Sequence, residues 1–207
     1  MPLQNRVSPF GELFATPARG MLFGNRGGRI HRDDRSLGAR RWTSRAWICC
    51  RLEFNGRQRI VWGRGYTELF FLDEPTAFAA GHRPCFECRR HHAGNFAAAF
   101  PLPSLAQARP RAADMDNVLH AERLNGRAKR LHRRESDDLP DGAFIVLDGK
   151  AFALRGDNLL RWTPSGYAAA QDRRRDMMVD VLTPPAILAV LGAGYRPLWH
   201  PSADPSP

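Results

Sequence analysis

The sequence predicts an α+β protein: a small antiparallel sheet with short helices around a cysteine/histidine site, followed by a helix and a second small β/α unit. Three observations carry this. Asn-Gly at 55–56 joins "AWICCRLEF" to "QRIVWG", two runs with alternating apolar residues, and Asn-Gly is the strongest short hairpin signal. "DEPTAFAAG" and "TPPAILAVLGAG" each read as a proline-started helix stopped by glycine. Asp-Gly and Gly-Asp turns cut "AFIVLDGKAFALRGDNLLRWTPSGY" into two or three short strands.

Taken in order, residues 1–20 read as a loose arm, because Pro2, Pro9, Pro17 and Gly20 interrupt any periodicity. Residues 21–100 form the first module. "GNRGGRIHRDDRSLGARRWTSR" has no apolar face and reads as a loop or mobile hairpin, with "GRIH" as the first strand when His31 is a ligand. The Asn-Gly hairpin follows, then a strand in "YTELFFL" and the helix from Asp73 to Gly81, with Asp73 as cap and Pro75 in the first turn. Residues 101–140 hold a linker, Pro101 to Pro110, and a helix carrying Met115, Val118 and Leu119 on one face, broken near Gly126. Residues 141–201 make the second hairpin-and-helix unit, and 202–207 are a tail. An internal echo links "FFLDEPTAFAAGHRPCFEC" to "VLTPPAILAVLGAGYRPLWHP": strand, proline-started helix, Ala-Gly, Arg-Pro. Duplication of one unit and common structural grammar both account for it.

Of 207 residues, 43% are hydrophobic and 25% charged, enough apolar content for a core. The formal net charge is +10, nearly all of it arginine, since Lys129 and Lys150 are the only lysines. Such a balance points to polyanions, nucleic acid above all. No apolar run approaches the ~18 residues of a membrane span, and the N-terminus has no basic-then-apolar leader pattern. A cytoplasmic location and no membrane partner are therefore expected. In a reducing cytosol the four cysteines are expected to be metal ligands or free thiols rather than disulfides.

The chemistry concentrates in "AAGHRPCFECRRHH", residues 79–92. Cys85-x-x-Cys88 in a tight turn supplies two zinc ligands, with Arg83, Arg89 and Arg90 beside it to offset thiolate charge. A redox pair would instead open a helix after a strand; here the cysteines follow a helix end. Candidates for the other half of the site are Cys49, Cys50 and His31, with His82, His91 and His92 close to the pair. Neighbouring residues on a strand face opposite sides, so Cys49 and Cys50 are not expected to reach one ion together. His31 plus one of them is the expected combination, and the pattern does not choose between the two.

"FFLDEPTAFAAGHRPCFECRR" resembles the zinc-binding domain of the Ada family of DNA-methylation-repair proteins, and is similar to zinc tails on some nucleases. The likeness covers roughly residues 66–90. It implies zinc held by Cys85 and Cys88, a module that touches DNA, and a role in repair or damage response. In that family an upstream zinc thiolate accepts a methyl group from a DNA phosphotriester, which here implies Cys49 or Cys50. The upstream ligand spacing departs from the family pattern, so a structural zinc is the alternative the residues leave open.

Other candidates are dispersed. Asp116 and His120 stand four apart on the helix, either a carboxylate-oriented general base for hydrolysis of nucleic acid or a surface pair. Phosphate contacts are expected from Arg29, Arg32, Arg35, Arg40, Arg41, Arg45, Arg89 and Arg90, with DNA favoured over RNA. Trp42, Trp47 and Trp62 interleave with these arginines, which suits stacking on bases or packing of the hairpin. A zinc-stapled module facing an acidic protein is the third class of function.

Overall fold

The computed structural model describes residues 1–102 and 109–204. Most of the expected linker and the last three residues of the expected tail lie outside the described residues. In chain order the elements are β1 (Arg6–Val7), β2 (Leu13–Phe14), β3 (Leu22–Arg26), β4 (Trp47–Arg51), β5 (Leu69–Phe71), α1 (Glu74–Ala79), β6 (Arg83–Pro84), α2 (Arg90–Ala98) and α3 (Ala112–Arg123). Then follow β7 (Leu124–Asn125), β8 (Ala128–Lys129), β9 (His132–Glu135), β10 (Phe144–Leu147), β11 (Lys150–Arg155), β12 (Asn158–Thr163), β13 (Gly166–Asp172), β14 (Met178–Val181) and α4 (Pro185–Gly192).

The chain is mixed α/β but richer in sheet than one small sheet with helices. Two six-stranded sheets run in the orders β2-β1-β5-β3-β4-β6 and β13-β12-β11-β10-β14-β9. The first 20 residues are no loose arm. Val7 pairs with Leu13 across a turn at Gly11, whose φ is +79°, and Arg6 pairs with Phe70 of β5. Two-residue strands are too short to show a period, which hid them in the sequence.

The Asn-Gly turn forms, with φ of 50° at Asn55 and 64° at Gly56 and a hydrogen bond from the Arg57 N–H to the Phe54 carbonyl. Its returning strand, residues 58–63, does not form. Both edges of β4 are already occupied, by β3 antiparallel (Phe23↔Cys50, Gly24↔Cys49) and by β6 parallel (Ile48↔Arg83). The strand before the arginine-rich loop is Leu22–Arg26 rather than "GRIH"; His31 makes only a single bridge to Leu37.

The helix after β5 forms as its caps dictate. Asp73 accepts hydrogen bonds from the Thr76 N–H and hydroxyl, and Gly81 leaves the helix at φ +81°. The echo is also a topological one. In each half a central strand (β3, β10) pairs with the next strand (β4, β11) and, on its other side, antiparallel with the strand entering the proline-started helix (β5, β14). The halves share core: Leu72 and Ala79 pack with Phe144, Leu160 and Leu182, and Phe78 packs with Phe96, Met115, Leu119 and Ile187.

Candidate metal centre

Strand alternation decides which upstream cysteine meets the Cys-x-x-Cys pair. Cys49 and Cys50 face opposite sides of β4. Cys49 turns into the core with Leu69, Phe71, Ala77 and Ala80, whereas Cys50 turns towards Phe23, Cys85 and Cys88. The parallel pairing of β6 with β4, continued by a hydrogen bond from the Cys85 N–H to the Cys49 carbonyl, brings the knuckle to that side. The three sulfurs of Cys50, Cys85 and Cys88 all lie within 4.8 Å of one another, and all three residues are buried.

The backbone is arranged for negative sulfur. The N–H groups of Glu87 and Cys88 donate to the Cys85 sulfur, the former at 3.4 Å, and the Arg51 N–H donates to Cys88. Hydrogen bonds from the Cys50 and Cys88 thiols, reinforced by these amides, hold the Cys85 thiol well below its ordinary range. Cys50, forced to share protons with two neighbours and buried, is pushed up. Three ionised sulfurs in this space would repel one another, and a cation among them relieves that repulsion. The rim is more open: Phe86 and Glu87 are exposed, and Glu87 pairs with Arg57 at 2.6 Å.

The other expected ligands lie elsewhere. His31 stacks on Trp62, with ring centroids 5.2 Å apart, and both its nitrogens are engaged, Nδ1 with the Thr67 hydroxyl at 2.7 Å and Nε2 with the Gly63 carbonyl at 2.9 Å. Cys49 is fully buried, and burial pushes its thiol up to about 12, against the pull of Arg89. It is a core thiol with no exposed surface, on the face of β4 away from the other three sulfurs. His91 contacts Asn95, and His82 is sealed against Trp47 and Phe71. Among the described residues no further His, Cys, Asp or Glu joins the three thiols.

Asp116 and His120 do not pair. The Asp116 carboxylate takes two 2.8 Å hydrogen bonds from Arg83, in a buried ion pair. His120 instead meets Arg123 Nη2 at 2.9 Å and the edge of Trp42. A carboxylate spent on a buried guanidinium cannot orient an imidazole.

The arginines divide. Arg32, Arg35, Arg40, Arg41, Arg45 and Arg90 are exposed, and Arg29 is partly buried beside Asp33. Arg89 is closed to phosphate: its side chain is 2% exposed and pairs with Glu74 at 2.7 Å. Sequence reasoning missed this pair. The one signal for it was an acidic residue opening a helix that is otherwise apolar, "DEPTAFAA". Trp47 and Trp62 are core residues, and Trp42 is half-buried. Among the described residues no helix is long and apolar enough to cross a membrane.

Comparison of the chain with known protein families, characterised proteins and solved structures finds no match.

Proposed function

We propose that this is a zinc-thiolate protein that binds nucleic acid, with zinc held by Cys50, Cys85 and Cys88. The observation that carries the reading is the buried trio of sulfurs with amide donors aimed at them. Tetrahedral zinc at its usual Zn–S distance of about 2.3 Å separates its sulfurs by about 3.8 Å, which fits within the 4.8 Å limit of the cluster. When bound, zinc would keep the thiolates ionised at neutral pH. The exposed arginines of the 32–45 loop support a polyanionic partner, DNA before RNA, and a role in DNA repair or damage response follows from the Ada-like motif.

A second reading, alkyl acceptance, is favoured by the ligand count. Three protein ligands leave a fourth position for water or an incoming group, as reactive zinc centres require. The nucleophile would then be one of Cys50, Cys85 and Cys88: its sulfur attacks a methyl carbon on a phosphotriester, the C–O bond breaks, and the phosphodiester leaves as an anion.

Zinc per chain, measured by elemental analysis of the freshly purified protein, tests the site. One zinc is expected in the wild type, in Cys49→Ser and in His31→Ala, and loss is expected in Cys50→Ser, Cys85→Ser and Cys88→Ser. A metal-free wild type, or zinc retained in Cys50→Ser, overturns it. Mass gain of about 14 Da on exposure to methylphosphotriester DNA separates alkyl acceptance from a structural metal.

A further inference from the structure

On the face of β4 opposite Cys50, Trp47 borders a cleft of about 560 Å³ formed by the β1–β2 turn, the arginine-rich loop and the β7–β8 hairpin. Five cations line it: the buried Arg26 and Arg123, the partly buried Lys129, and the exposed Arg41 and Arg127. Arg26 is 3% exposed and Arg123 1%. Their guanidinium carbons lie 4.0 and 3.9 Å from the Trp47 ring centroid.

None of the five is paired with a carboxylate among the described residues. Arg26 donates to the Gly11 carbonyl at 2.8 Å. Arg123 donates to the Gly81 and Arg45 carbonyls at 2.9 and 2.8 Å, and its Nε is buried without any partner. The Lys129 amine reaches the Ala79 carbonyl. Glu12 stands on the rim and forms no ion pair with any of them.

Concentrating like charges in a low-dielectric cleft is expensive unless something negative joins them. Burial, with repulsion from Arg41, pushes Arg26 down to about 9; burial, with repulsion from Arg26 and against the pull of Asp116, pushes Arg123 down to about 9; and burial, with repulsion from Arg123 and Arg26, pushes Lys129 down to about 7. The remaining wall is apolar and aromatic, through Phe10, Phe14, Leu124 and the half-buried Trp42. A cationic end beside an aromatic wall matches a ligand with a phosphate at one end and a flat ring at the other, and the volume suits a small molecule of that size.

We infer that this cleft binds a phosphorylated nucleotide, free or at the end of a strand, with its phosphate against Lys129 and the exposed guanidiniums of Arg41 and Arg127, in the field of the buried Arg26 and Arg123, and its base against Trp42. The site does not depend on the thiols, so Cys85→Ser leaves it intact.

Titration calorimetry and tryptophan fluorescence of the full chain test it. The probes are deoxyadenosine 5′-monophosphate, deoxyadenosine, and a short single strand with either a 5′-phosphate or a 5′-hydroxyl. The monophosphate is expected to bind with a Kd of about 1 mM or tighter. Deoxyadenosine should bind at least about tenfold more weakly, because it lacks the charge-assisted contacts. Lys129→Met should weaken the monophosphate about tenfold, and Arg41→Ala, an exposed rim change that spares the core, should weaken it in the same direction. Preference for the 5′-phosphorylated strand assigns the ligand to a strand end; binding of the mononucleotide alone assigns it to a small molecule. Both outcomes support the site. No saturation by about 10 mM monophosphate, equal binding of deoxyadenosine, or unchanged affinity in both variants overturns it. Internal duplex binding by the 32–45 loop needs no free end, so a failed titration here leaves that reading separately measurable.

Discussion

Glu74→Gln removes the charge of a carboxylate that is 0% exposed and receives three donors: Arg89 Nη1 at 2.7 Å and the Tyr195 hydroxyl at 2.8 Å on Oε1, and the Leu198 N–H at 2.8 Å on Oε2. The amide keeps the shape. Arg89, 2% exposed and already carrying an unpartnered Nη2, is left as an uncompensated buried cation. Breaking such a pair from one side costs about 3–5 kcal/mol. The new NH₂ group also confronts one of the three donors, which adds about 1–3 kcal/mol for the group left unsatisfied. Typical domains have only about 5–15 kcal/mol in total, so the urea midpoint should fall steeply. Arg89→Met together with Glu74→Gln removes the stranded charge, so the double variant should be more stable than the sum of the single losses implies by about 2 kcal/mol or more. A Glu74→Gln loss below about 1 kcal/mol would refute the reasoning, since it would place Arg89 in water, or against Cys49, rather than sealed in the core.

Three further outcomes are expected. Lys129 sits at about 7 in the folded protein against an ordinary 10.5, so between these values the unfolded chain binds the extra proton; stability should rise as pH goes from 7 to 10, by at most about 5 kcal/mol, and Lys129→Met should flatten that rise in urea melts at about pH 7 and 9.5. Gly81→Ala places a methyl 2.6 Å from Arg123 Cδ at a φ of +81°; the backbone alone costs about 1 kcal/mol, and displacing Arg123 should weaken the nucleotide titration as well. Replacing Arg32, Arg35, Arg40 and Arg41 with alanine should make the dependence of duplex affinity on salt shallower by about 3.6 in log–log slope, at about 0.9 for each phosphate that is no longer neutralised; an unchanged slope in a filter-binding series would remove the loop from the interface.

Local grammar was legible and partner choice was not. Asp73, Pro75 and Gly81 specify the start and stop of α1 through backbone preferences confined to a few residues, and the Asn55-Gly56 turn adopts the two positive φ angles its residues favour. Which strand β4 pairs with is a long-range question. Its partner, Leu22–Arg26, is buried along its whole length yet ends in Asn25 and Arg26, so it shows no apolar alternation. Those polar groups are accommodated by specific contacts: Asn25 Oδ1 accepts the Gly27 N–H, and Arg26 lies over Trp47. The thiol site was half legible for the same reason. Cys85 and Cys88 are close in sequence, whereas choosing Cys50 over Cys49 required knowing which face of β4 the knuckle approaches. Arg89 and Arg90 are neighbours of one type, one sealed beside Glu74 and one in water; only the packing of α2 separates them.

The second unit, whose role the sequence leaves blank, acts on the first through its exit segment. After Gly81 the first copy of the echoed pattern runs Arg83-Pro84-Cys85 and makes the knuckle. After Gly194 the second runs Arg196-Pro197-Leu198 and brings donors to the start of α1. Leu198 and His200 give their N–H groups to Glu74 and Asp73, and Tyr195 and Tyr167 give their hydroxyls to the same two carboxylates. Burial pushes Asp73 up, and these hydrogen bonds hold it against that cost. Without them, two carboxylates at a six-residue helix would have to reach water, and Glu74 would take Arg89 with it. Arg89 directly follows Cys88, so the anchor of the knuckle runs from the second unit through Glu74 to the thiols. Tyr195→Phe, or Leu198→Pro, which removes the donating N–H, both in the half that carries no cysteine, should therefore register first as weakened retention of the proposed zinc rather than as a change confined to its own sheet.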